Sequence, residues 1–73
     1  MHGLMVNEQE RREIEYLLKR EMGEITFDLG DHRIDPGIKQ AMEERYDVLF
    51  QIFRRFAARE ECLQYMPKKK KHN

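Results

Sequence analysis

Glu24, Asp28 and His32 recur at intervals of four residues, with Asp31 and Asp35 beside them. Carboxylates with one imidazole form a donor set for a divalent cation, and a symmetric dimer would double the ligand count. Two features weigh against that use. The Glu-x-x-His motif of di-iron helical bundles is absent. Gly30 also falls between Asp28 and His32, where it interrupts a continuous helical face. The cluster therefore reads as solvated helix-end acids and a loop histidine, and no metal or cofactor is expected.

Lys68, Lys69, Lys70 and Lys71 form the second candidate. Four adjacent ammonium groups attract phosphate backbones or anionic membrane through counterion release. No aromatic residues interleave with them, and no base-reading helix accompanies them. The other basic doublets, Arg11-Arg12, Lys19-Arg20 and Arg54-Arg55, have acids among them. The chain is formally neutral, but without these four lysines ten Lys and Arg face fourteen Asp and Glu, a body of about −4. Such a body repels phosphate. The expectation is a solubilising tail able to lie over its own acidic body. A low-specificity nucleic-acid contact through the tail is the alternative.

Cys62 is the only thiol. It excludes an intrachain disulfide and points to a reducing compartment. It lacks a neighbouring His to act as base, and Glu60 and Glu61 directly precede it, so nucleophilic chemistry is not expected. His2 and His72 lie in the terminal arms. The sequence holds neither a glycine-rich phosphate loop nor a placeable Ser-His-Asp set. The small helical-hairpin phosphatases of sporulation aspartate regulators carry Ser-Gln-Glu-Leu-Asp on their second helix. Gln40-Ala41-Met42-Glu43-Glu44 does not match it, so no family is implied. The chain reads as a non-enzyme.

The stretch that must position everything else is residues 35–58. Asp35 suits an N-cap and Pro36 the first helical position. At about 100° per residue, Ile38, Met42, Tyr46, Leu49, Phe53 and Phe56 fall near one line. Val48 and Phe50 lie to either side, and Ile52 and Ala41 fill one flank. The resulting apolar arc, near 200°, is about twice the stripe of an ordinary surface helix. One flank is expected to face its own chain and the other a second subunit.

An earlier helix is predicted over residues 8–29. Asn7 and Glu10 have capping-box spacing, and Ile14, Leu18, Met22, Ile25 and Leu29 share one stripe with Leu17 at its edge. Glu8–Arg12 and Glu15–Lys19 are i,i+4 pairs in the favourable order. Residues 25–29 alternate apolar and polar as a strand would, but nothing else in the chain offers a partner strand. Gly30 suits the left-handed C′ position. Tyr16 and Phe27 are eleven residues apart and nearly eclipsed, away from the main stripe. With Gly23 near the same face, they are the candidate contact for a foreign protein.

Residues 31–35 make a link short enough to force antiparallel neighbours. The fold class expected is all-α: an antiparallel αα-hairpin, helix 1 over about 8–29 and helix 2 over about 36–58 or longer, doubled into a four-helix bundle as a homodimer. Residues 1–66 form the hairpin domain and 67–73 a disordered basic tail. Leu49, Ile52, Phe53 and Phe56 are expected to carry the subunit contact, with Tyr46, Val48 and Phe50 at its margins. At 73 residues, 40% apolar, a single core is small, which itself favours association. Met1 to Val6 lacks the features of a signal peptide. No apolar run approaches the roughly 20 residues of a membrane span. A cytoplasmic interaction or regulatory protein is the function expected.

Overall fold

The computed structural model describes Gly3 and residues 5–67, and every described element is helical. Helix α1 spans Glu8–Leu29, α2 spans Pro36–Phe53 and a short α3 spans Arg59–Tyr65. The α1 start is the expected capping box. Asn7 Oδ1 accepts from the Glu10 N–H at 2.8 Å, and Glu10 Oε1 accepts from the Asn7 N–H at 2.9 Å. Residues 24–29 are helix, not strand. Thr26 supports that state by donating its hydroxyl to the Met22 carbonyl at 2.9 Å.

Gly30 does not take the left-handed conformation. It sits at φ −78°, ψ −8°, and its N–H donates to the Phe27 carbonyl at 3.2 Å, so the helix closes on a tighter right-handed turn. Asp31 then builds the link by accepting from the Arg33 backbone at 2.9 Å and pairing with its guanidinium. Asp35 opens α2 by accepting from the Gly37 N–H at 2.8 Å, with Pro36 at the first position. A Cβ at position 37 would stand only 3.0 Å from that carboxylate, so glycine lets the cap approach closely.

Helix α2 stops at Phe53, five residues short of the expected boundary. The Arg55 and Phe56 N–H groups donate to the Ile52 and Phe53 carbonyls, both at 3.0 Å, which tightens the turn. Ala58, at φ −67° and ψ 154°, leads out of the coil into α3. No glycine or proline causes this break. Its reason is tertiary. The bend carries Tyr65 back along α2, where its ring meets Phe53 edge-on at 5.3 Å and its carbonyl accepts from the Tyr46 hydroxyl at 2.6 Å.

The core sits between α1 and α2 under the cover of α3. Leu18, Met22, Phe50 and Phe53 form the buried cluster, with Met22 and Phe53 wholly enclosed. Ile14, Tyr46, Leu49, Phe56, Ala57, Cys62 and Tyr65 pack around it half-buried. Ile25 is buried further along α1. The α1 stripe therefore faces inward as expected. Pairing of α1 with α2 accounts for most of the tertiary structure, and α3 closes one side of it.

Candidate interaction surface

The wide apolar arc of α2 divides into two flanks. Tyr46, Phe50 and Phe53 face α1 and α3 and belong to the chain's own core. Val48, 60% exposed, and Ile52, 38% exposed, lie on the other flank. Ile38 of α2 and Leu17 of α1 are exposed as well, at 56% and 50%. An open depression between α1 and α2 is lined by Leu49, Leu17, Leu18, Arg20, Glu21 and Glu24. Arg45 reaches across toward Glu21, with 3.8 Å between the charged groups.

Phe50 and Phe53 were expected at a subunit contact, with Phe53 among its main carriers; the fold instead seals them inside one chain. Phe53 has no solvent-accessible surface and Phe50 only 5%. The reason is α3, whose return over α2 the apolar periodicity does not reveal. Phe56 and Leu49 are half-buried against the same core, and Tyr46 is half-buried with its hydroxyl bonded. Burial holds Tyr46 above the ordinary phenol range.

Tyr16 and Phe27 are exposed along α1, at 58% and 82%. Phe27 borders a second open depression with Lys19, Arg20, Gly23, Glu24 and Asp28. Among the described residues, nothing beyond its own helix turns lies within 4 Å of a Cβ placed on Gly23. Lys68, Lys69, Lys70 and Lys71 lie outside the described residues, as does the rest of the tail beyond Pro67.

The ionic contacts that join the helices to one another are ones the sequence did not single out. Arg11 Nη1 donates at 2.8 Å both to Glu15 Oε2 and to the Phe56 carbonyl freed where α2 ends. Its cationic form is strongly favoured by Glu8 and Glu15. Lys19 Nζ stands 2.7 Å from Glu61 Oε2 on α3 and 3.6 Å from Glu15 Oε1. The Glu61 oxygen is itself shielded from solvent, so the ammonium acts on it as a close charge. Lys19 is thereby held above its ordinary range and Glu61 below its own. The Glu15–Lys19 spacing was a visible signal, but the Arg11–Phe56 and Lys19–Glu61 contacts arise only through the bend at residues 54–58.

The acids near the interhelical turn are placed apart. Glu24 pairs with Arg20 at 3.5 Å, Asp31 is held below the usual carboxylate range by Arg33, and Asp35 caps α2. His32 is exposed in the turn. Among the described residues no three His, Cys, Asp or Glu side chains gather as a metal would require. Cys62 is half-buried, with its sulfur 3.8 Å from the Ala57 carbonyl. Among the same residues no helix is long and apolar enough to cross a membrane.

Among the described residues every element is a helix, and α1 and α2 pack as a pair with α3 folded onto them. No family model, curated protein or solved structure matches it.

Proposed function

We propose that this chain is a small non-enzymatic interaction protein that self-associates through the open flank of α2. The observation that carries this reading is the exposure of Val48 and Ile52 on α2 and of Leu17 on α1, with Leu17 and Leu49 lining one open depression between the two helices. A folded chain this small gains by covering such a strip, because each large aliphatic side chain taken out of water contributes about 1.5–3 kcal/mol. Two hairpins related by a two-fold axis would cover it on both copies and complete a four-helix bundle of α1 and α2 pairs. Tyr16 and Phe27 then remain on the outer face as the contact for a different protein. A reducing, cytoplasmic setting suits the unpaired thiol of Cys62.

Light scattering after size exclusion tests the proposal directly. A mass twice the 9.0 kDa of one chain is expected, falling to one chain in a variant carrying Val48→Asp and Ile52→Asp. Those two side chains are outside the core, so the variant should keep its helical circular dichroism. A wild-type monomer at all concentrations, or a dimer indifferent to both aspartates, would defeat this assignment.

A further inference from the structure

The bend between α2 and α3 falls in Arg54-Arg55-Phe56-Ala57-Ala58, a run without glycine or proline. Alanine is the best helix former, and arginine is among the better ones. The N–H groups of Arg54 and Ala57 already bond four residues back, to Phe50 and Phe53, as in a helix. Ala58 departs from it, with ψ at 154° where a helix needs about −42°. Alanine is also a poor N-cap, and α3 begins with no side-chain capping bond. Turning Ala58 into the helical region joins α2 to α3 as one helix over 36–65, about 45 Å long at 1.5 Å per residue.

Contacts from elsewhere hold the bend. Arg11 satisfies the Phe56 carbonyl, Lys19 pairs with Glu61, and Tyr46 bonds the Tyr65 carbonyl. The last two contacts need an α3 in the groove over Phe50 and Phe53, but not one from the same chain. Because α3 returns antiparallel to α2, two straightened helices crossing antiparallel at residues 54–58 would each lay their α3 on the other's α2. Every α3 contact would be rebuilt, and the bend would be exchanged for continuous helix. The Arg11–Phe56 bond belongs to the bent form alone.

We infer that the groove over Phe50 and Phe53 is an exchange site for α3 of a second copy, with Ala58 as the hinge and Arg11 as the contact that holds the bent form. This dimer uses the opposite side of α2 from Val48 and Ile52 and does not depend on the flank contact.

The test uses the native Lys19–Glu61 pair. Full-length chains with natural and heavy nitrogen are mixed, unfolded, refolded together at high concentration and treated with a zero-length carbodiimide. The dimer fraction is digested and weighed. Exchange gives Lys19–Glu61 cross-linked peptides that join one light and one heavy chain. Same-isotope cross-links alone in the dimer overturn the proposal while leaving the flank contact intact, and so does the absence of any dimer.

Two variants move the populations in opposite directions. Ala58→Ser supplies an N-cap to the bent form and should weaken exchange dimerisation roughly tenfold or more, because two hinges change in each dimer. Arg11→Met removes the bond to Phe56 and should strengthen it. A mixed-isotope dimer unmoved by both variants would overturn the hinge assignment.

Discussion

Lys19 of α1 and Glu61 of α3 meet at 2.7 Å, although α2 lies between them in the chain. The contact fixes where α3 lies, because α3 is only seven residues long and has no buried side chain of its own. Helices this short are not stable alone in water. Its position depends on this charge pair, the Tyr46–Tyr65 bond and the packing of Cys62 and Tyr65 on Phe53 and its neighbours.

The charge pair makes α3 docking sensitive to acid. Glu61 is held below its ordinary range chiefly by the Lys19 ammonium. A carboxylate with a depressed folded-state pKa contributes stability above its unfolded value of 4.5, and that contribution disappears as pH falls through the lower folded value. The protection of the amides of residues 59–65, relative to their unstructured rates at the same pH, should therefore fall below about pH 4.5, before α1 and α2 lose theirs. Glu61→Gln should lower that protection at neutral pH and flatten its dependence on acid. Parallel acid profiles for the variant and the wild type would show that the pair does not hold α3.

How much of this was legible depended on the range of the interaction. The capping box of Asn7 and Glu10 and the Asp35-Pro36 start are local chemistry and stand where the sequence placed them. The strand-like alternation of residues 25–29 did not mislead, because the described residues offer no partner strand and Ile25 alone of its apolar members is deeply buried. The end of α2 was not legible. Every local signal through Arg-Arg-Phe-Ala-Ala favours helix, while the forces that bend it come from Arg11, Lys19 and Tyr46. That hidden bend also decided which flank of α2 faces its own chain. Apolar periodicity revealed a face too wide for one neighbour but could not tell Phe53 from Val48 as the residue left for solvent.

The two flanks should therefore respond differently to substitution. Phe53 is fully enclosed among Leu18, Met22 and Phe50, so Phe53→Ala opens a cavity and should cost about 3–5 kcal/mol. In a domain this small that is a large share of the total stability. Val48 is 60% exposed, and Val48→Asp should change the stability of one folded chain by no more than about 0.5 kcal/mol. Urea unfolding at a concentration low enough to keep the chain monomeric checks both. Equal losses at the two positions would mean that the Val48 flank is covered within the chain.

Tyr46 sets the behaviour at the alkaline end. Its hydroxyl donates to the Tyr65 carbonyl at 2.6 Å, and burial raises its resistance to ionisation. A phenol that ionises less readily when folded contributes stability that is complete below its unfolded value of 10.0 and lost as pH rises through its higher folded value. Lys19, raised above 10.5 by Glu61, acts with the same sign, since its proton is favoured in the folded chain. Tyr46→Phe removes the hydroxyl and keeps the ring. It should lower stability at neutral pH by about 1 kcal/mol, the net worth of one hydrogen bond. It should also reduce the loss of stability above pH 10, leaving the part due to Lys19, so the wild-type and variant curves converge as the solution becomes alkaline. Thermal melts from pH 7 to 11 provide the comparison, and a constant gap between the two curves would show that Tyr46 does not carry this titration.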